Sequence, residues 1–361
     1  MATAFDNAFL DDIHAHPGDD APRLVYADWL DDHGDIDRAE FIRLQIELSR
    51  LAPGDAWRGQ LAAREAQLLL AHEEAWRAQL PSLEGVTWQG FARGFVESAF
   101  VESPEAFERQ AGAIFTAAPV VRLQVGDLDA ASTSRLARSP HLARLTELNL
   151  GNNPAMGRGV RALADSPYVA NLTSLLLHYN DLGAEVAAVA DSPCLGRLTE
   201  LYVSGNGLTD EVVVALGRST TLPRLAELDL RDNQVGDNGA RALAYHGLRD
   251  ALTTLWLVNN QVGEGGAWAL AGTPYLPRLS QLYLNYNPVG DEGGVAFASS
   301  PHRRALRDLD LRCCGIRDAG ACRLAESPHL DGVGLLWLGG NRLKAETVAL
   351  LRRRFGERLR M

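Results

Sequence analysis

From Leu145 onward the apolar positions repeat one phrase, Leu-x-x-Leu-x-Leu with Asn three residues later, followed by a Gly-rich segment of helical spacing. Its openings fall at Leu145, Leu172, Leu198, Leu225, Leu252, Leu279, Leu306 and Val333, a spacing nearly constant at about 27 residues. A unit this short buries its apolar face only by stacking on copies of itself, which makes a solenoid. Between Leu225 and Leu230, Leu228 and Leu230 alternate with polar residues, the period of a short strand with one buried face. Leu225, Leu228 and Leu230 are therefore expected to point inward. In the segment from Val235 to Ala244, Asp237 is the expected N-cap and Ala240, Leu243 and Ala244 share a helical face. The Leu243 place is filled by Leu163, Ala190, Leu216, Leu270, Phe297, Leu324 and Leu351 in the other turns. Pro167, Pro193, Pro274, Pro301 and Pro328 follow the helices and stop them.

Each turn carries Asn153, Asn180, Asn206, Asn233, Asn260, Asn287, Cys314 or Asn341 where the chain leaves the strand. A side-chain amide there can bond backbone groups that are costly to bury unpaired. In these features the turns resemble leucine-rich repeats of the ribonuclease-inhibitor-like subtype over roughly residues 120–361, with Cys314 an accepted variant. The resemblance implies an α/β horseshoe with a parallel inner sheet and outer helices, preceded here by a small all-α N-terminal domain.

Residues 1–54 lack the repeat. Three short helices are expected: the second starting at Asp19 or Asp20 with Pro22 in its first turn, the third at Asp35 or Asp37, and Leu24, Leu30, Phe41, Leu44 and Leu48 supplying a core. The words from Arg23 to Leu30 and from Arg38 to Gln45 resemble the bacterial repeat-companion domain of planctomycetes and myxobacteria, a family that carries no known activity to this chain. Asp28, Asp31, Asp32 and Glu40 near His14, His16 and His33 read as solvated faces paired with Arg23 and Arg38 rather than a metal or acid–base cluster. The run from Asp31 has Ile36 and Ile42 where a calcium loop needs Gly and Glu. Residues 55–119 read as a connecting helix from Ala56 to Gln79, a strand from Gly94 to Val101, a helix from Glu105 to Ala117, and a cap for the open end of the solenoid, with a degenerate turn at Val120 to Leu128. Lys344 to Arg360 is expected to form the last, capping helix.

Composition narrows the function. A net charge of −11 argues against a nucleic-acid partner, and Lys344 is the lone lysine among 35 basic residues, which leaves no placed lysine for phosphate-loop or Schiff-base chemistry. Gly263 to Gly266 and Gly290 to Gly294 recur in register with the other turns, so they read as bends entering helices and not as nucleotide loops. No apolar run approaches the ~18 residues of a membrane span, no signal region opens the chain, and four cysteines without a C-x-x-C pair suit a reducing cytoplasm. A monomer with no cofactor and no metal is expected.

The candidate site is the inner face. Adjacent strands stand about 4.8 Å apart, and the position between the second and third Leu reads Asn149, Leu176, Tyr202, Asp229, Trp256, Tyr283, Asp310, Trp337. The column before it is acidic or polar, including Glu227; those after it hold Arg231, Arg312, Tyr179 and Tyr286. Six of these 32 inner positions are aromatic against 7% chain-wide. Such a face suits a protein or peptide partner, with Tyr179, Tyr202, Glu227, Asp229, Arg231, Trp256, Tyr283, Tyr286, Asp310, Arg312 and Trp337 as contacts. Asp229 and Asp310 are expected to pair in part with Arg231 and Arg312. A non-enzymatic interaction scaffold is the first reading. The rival is a regulatory helper, GTPase-activating-like or inhibitor-like, in which Arg231 or Arg312 reaches a nucleotide.

Overall fold

A computed structural model describes residues 4–52, 54–246, 250–302 and 305–361. The chain folds as two compact units, residues 1–127 with 144–146, and residues 128–143 with 147–361.

In the first unit, helices α1 (Ala4–Ala15), α2 (Ala21–Asp32), α3 (Ile36–Arg50) and α4 (Arg58–Arg77) are followed by strands β1 (Val86–Trp88), β2 (Phe91–Ala92), β3 (Phe95–Val96) and β4 (Ser98–Val101). Helix α5 (Pro104–Ala117) and strand β5 (Arg122–Val125) complete it. The strand foreseen from Gly94 to Val101 is broken at Glu97, and β1 pairs antiparallel with β4, a partner the spacing did not announce. Asp35 caps α3 by accepting the Arg38 N–H at 3.4 Å. One core cluster joins Ile13, Ala27, Leu30, Ala39, Ile42, Ile46 and Phe95, and a second joins Phe41, Leu44, Leu48, Leu68 and Trp76. Leu24 is half-buried at the edge of the first.

Arg23 and Arg38, expected to pair with surface acids, are instead inside. Arg23 is fully buried and donates to Glu97 at 2.6 Å, while Arg93 reaches the same carboxylate at 2.8 Å. The reason lies in helical spacing: Arg23 precedes Ala27 and Leu30 by four and seven positions, so all three share the core-facing stripe of α2. The acids find other arginines. Asp28 and Asp31 both bond Arg43, at 2.7 and 2.6 Å, Glu40 bonds Arg64 at 2.5 Å, and Asp20 bonds Arg50 at 2.6 Å.

The second unit is a leucine-rich-repeat solenoid of mixed α/β architecture. Its strands are β6 (Glu147–Asn149), β7 (Ser174–Leu176), β8 (Glu200–Tyr202), β9 (Glu227–Asp229), β10 (Thr254–Trp256), β11 (Gln281–Tyr283), β12 (Asp308–Asp310), β13 (Leu335–Trp337) and β14 (Leu359–Arg360). Each pairs in parallel with the next, so Leu201 lies beside Leu228, Leu228 beside Leu255 and Leu255 beside Leu282 in an apolar column. Leu225, Leu228 and Leu230 are fully buried, as are Ala240, Leu243 and Ala244 of the following helix. The return helices are α6 (Ala130–Leu136), α7 (Gly159–Ala164), α8 (Ala187–Ala190), α9 (Asp210–Arg218), α10 (Asp237–Tyr245), α11 (Glu264–Gly272), α12 (Gly290–Ser299), α13 (Asp318–Glu326) and α14 (Ala345–Phe355).

Three side-chain ladders tie the turns together. In the first, Asn260 Nδ2 donates to its own turn at Leu257 O (3.2 Å) and to the preceding one at Leu230 O (2.8 Å), while its Oδ1 accepts from Val235 N at 2.9 Å. Asn206, Asn233 and Asn287 repeat the arrangement. Cys314 keeps only the donor half, giving its thiol hydrogen to Leu284 O at 3.2 Å; burial pushes this thiol up to about 12. With no amide oxygen to accept, Val289 N turns to Asn287 O, and α12 begins at Gly290.

The second ladder corrects an expectation. Asp237 does not cap its own helix; its Oδ1 accepts from Gly263 N (2.7 Å) and Gly266 N (2.8 Å) at the start of α11, and Asp291 does the same for Arg317 N and Gly320 N. The N–H groups that a phosphate loop would offer are thus held by a carboxylate. A Cβ on Gly266 would lie 2.9 Å from that oxygen and 2.7 Å from Val262, so the approach requires glycine. The third ladder, unread in the sequence, is of hydroxyls: Ser219, Thr273 and Ser327 follow their helices, and each donates to a carbonyl of the preceding turn.

The terminal helix expected to reach Arg360 ends at Phe355. Gly356 takes a φ of 56°, open to glycine without strain, and Leu359–Arg360 adds β14 beside β13. Arg358 donates to Asp331 O and Val333 O, so part of the arginine-rich tail is structural.

Two substitutions test this packing. Leu255→Asp places a charge at a fully buried position and is expected to cost about 4 kcal/mol or more, abolishing the cooperative thermal transition read by circular dichroism. Asn260→Ala leaves Val235 N without its partner and takes one of two donors from Leu230 O and from Leu257 O, and is expected to cost about 2–4 kcal/mol in urea unfolding, against under about 0.5 kcal/mol for Asn238→Ala on the exposed side of α10. Equal effects for the two asparagines would refute the ladder's role.

Candidate functional site

The in-register strands turn the sequence column into a physical row: Tyr202 lies beside Asp229, Asp229 beside Trp256, Trp256 beside Tyr283, Tyr283 beside Asp310 and Asp310 beside Trp337. Trp256 and Tyr283 stack nearly parallel, 6° apart, with centroids at 5.9 Å. Tyr202 and Trp256 are two strands apart, yet their rings meet at 6.2 Å across the intervening Asp229. The three half-buried rings form one plate.

Asp229 and Asp310 do not stand on the surface as acids. Each is 1% exposed. Arg231 grips Asp229 through Nε at 2.9 Å and Nη2 at 2.6 Å, with its own backbone N–H on the same carboxylate at 2.9 Å. Arg312 repeats this on Asp310 and lays its guanidinium over Trp337, 4.8 Å from the ring centroid. The fork geometry of guanidinium on carboxylate makes these strong pairs, and it also turns both arginines down onto the sheet. An arginine that must reach a nucleotide phosphate is poorly served by that arrangement. The acidity left on the face comes from the flanking column, where Glu227 accepts the Tyr202 hydroxyl at 3.2 Å and burial raises the Asp308 carboxyl.

Tyr179 and Tyr286 occupy a different kind of place. Counted in the sequence as strand positions, they lie past the strand ends with φ of 55° and 60°. Asn152, Asp232, Asn259, Cys313, Gly205 and Gly340 share that left-handed conformation in the other turns. Asn, Asp and Gly adopt it readily, while a bulky tyrosine is strained there. Both tyrosines are more than half exposed, and the Tyr179 hydroxyl donates to Asp232 at 3.1 Å. Asp232 in turn accepts from Asn259 at 2.9 Å, so Asp232 and Asn259 extend the row although neither was singled out in the sequence. A separate exposed aromatic pair, Tyr245 and Tyr275, lies behind the sheet on the return segments with centroids 6.2 Å apart. Two isolated tyrosines in neighbouring turns carry no periodic signal.

A family model described as Leucine Rich repeat matches residues 198–217, 223–244, 277–298 and 304–325, so the chain carries leucine-rich repeats. No curated protein sequence matches it. Among solved structures, a chain from the crystal structure of the Rad7 and Elc1 complex in yeast is similar at a TM-score of 0.51 with 13% identity, covering 98% of this chain and 91% of that one. A second, from a complex of TLR13 with ssRNA13, has a TM-score of 0.42 and 20% identity; the match covers 62% of this chain and 30% of that one. At these identities the likeness to the yeast chain is one of fold. Among the described residues no helix is long and apolar enough to cross a membrane.

The plate has a titration signature. Burial raises the phenols of Tyr202 and Tyr283 above the ordinary tyrosine value, aided by Glu200 and Glu227 for the first and Asp308 for the second. A phenol raised on folding stabilises fully below the unfolded value of about 10, and this stability is lost as pH rises beyond it. Tyr202→Phe is therefore expected to flatten the fall in melting temperature between about pH 9 and about pH 11. An unchanged slope would show that this ring ionises freely.

Proposed function

We propose that the protein is a non-enzymatic interaction scaffold that grips a protein or peptide on the plate formed by Tyr202, Trp256 and Tyr283, with Tyr179 and Tyr286 as its outer edge. The observation that carries this reading is the placement of two tyrosines in left-handed backbone where five other turns use Asn, Asp or Gly and one uses Cys313. A strained, exposed aromatic side chain is retained at a cost in stability, and contact with a partner accounts for it. Stacked rings with hydroxyls at their rims supply a rigid apolar body with polar handles, at little loss of side-chain entropy on binding. Glu200, Glu227 and Asp308 favour a basic or polar segment. Asp229 and Asp310, with Arg231 and Arg312, act as the supports that hold the rings. The regulatory-helper reading stands second because both arginines are committed to their aspartates.

We assign the repeats to the ribonuclease-inhibitor-like subtype on their strand–helix alternation and period, and residues 1–54 to the repeat-companion type, with residues 55–119 as connector and cap of the solenoid at 120–361. The reduced thiol that Cys314 needs to donate to Leu284 O supports a cytoplasmic setting.

Trp256→Ala with Tyr283→Ala is expected to leave the circular dichroism spectrum unchanged and to reduce capture of the partner in affinity pull-down with mass spectrometry at least about tenfold. Full capture by the folded double variant would overturn the proposal.

A further inference from the structure

The first unit holds a charge without its counter-ion. Arg38 is 8% exposed, and its guanidinium lies among four aromatic rings, 4.6 Å from the centroid of Trp76 and 5.3 to 5.6 Å from those of Phe91, Phe41 and Phe95. Nη2 donates to Gly94 O at 2.6 Å, while Nη1 is buried with no hydrogen-bond partner among the described residues. Burial pushes the group down to about 10, against the weaker pull of Tyr26 and Asp35. Ring faces ease the loss of water but leave the directed N–H unbonded, and a buried guanidinium in that state is costly.

Arg38 also lines a cavity of about 140 Å³, walled by Leu10, Tyr26, Leu80, Trp76, Phe95 and Ala118. Three further titratable groups face it, the first of them the Tyr26 phenol in the wall. Asp35 is exposed at the rim, where its carboxylate serves the helix cap, and the imidazole of His14 is lowered by burial and then by Arg144, which favours its neutral form. The lining is therefore mostly apolar and flat-walled, with one cation and the neutral polar groups of Tyr26 and Gln79. An engineered cavity of about 150 Å³ admits benzene, which sets the size of an occupant.

We propose that this cavity is a binding site for a small carboxylate with a flat apolar body, its carboxylate on Arg38 Nη1 and its body among the rings. Arg38 supplies the charge-assisted bond, and Trp76, Phe95 and Leu80 supply shape.

The test titrates the full-length protein with benzoate and, separately, with the neutral benzamide, reading affinity by calorimetry and melting temperature in parallel. Benzoate is expected to bind one to one and to raise the melting temperature, with benzamide at least about tenfold weaker. Arg38→Met keeps the apolar stem and is expected to erase the preference. Leu80→Trp narrows the cavity while leaving the guanidinium, and is expected to abolish binding even if the arginine variant fails to fold. Equal affinity for the two probes, no binding to the folded wild type, or a preference that survives Arg38→Met or Leu80→Trp would overturn the proposal.

Discussion

The structure depends on keeping buried backbone groups bonded at every point where the chain leaves a strand. The solenoid makes that exit in each turn, inside an apolar stack where an unpaired carbonyl or N–H costs about 1–3 kcal/mol. A single asparagine resolves it by donating to two turns and accepting from the backbone, as Asn260 does between Leu230, Leu257 and Val235. Because the bond runs between turns, it also fixes their register. At Cys314 the acceptor is lost: the thiol still donates, but the local turn rebuilds and the helix starts one residue earlier in the repeat.

Register is what gives the inner face its chemistry. A slip of one residue would turn every ring into the core and every leucine out. With the strands locked, positions one repeat apart become neighbours, and three rings distant in sequence assemble into a plate. The buried aspartates then have a mechanical part. Each sits between aromatic positions, held by an arginine from the same strand exit, and neither carries free charge outward. The exposed tyrosines at the left-handed positions are local exceptions to the best backbone choice, and such exceptions gather where a surface is used.

Much of this is legible in the sequence because the strand alternation and the longer repeat both report on one apolar column: the inward leucines, the helix face and the aromatic row are all where spacing places them. Other features are hidden for identifiable reasons. Asp237 resembles a cap for its own helix because a cap and an inter-turn acceptor occupy adjacent positions, and only coordinates tell them apart. Tyr179 and Tyr286 resemble strand residues because sequence does not display φ. Arg23 and Arg38 resemble surface partners because arginine is seldom buried, although the helical stripe that Arg23 shares with Ala27 and Leu30 already carries the contrary signal.

The account turns on whether the plate is a contact surface, and proximity to a bound partner tests that most directly. A photo-cross-linking amino acid placed at Tyr286, beside the plate, and separately at Arg241 on the exposed side of α10, would be irradiated in extract of the native host. The account predicts a discrete cross-linked polypeptide from position 286 and none from 241. A cross-link from 241 with silence at 286 would contradict it.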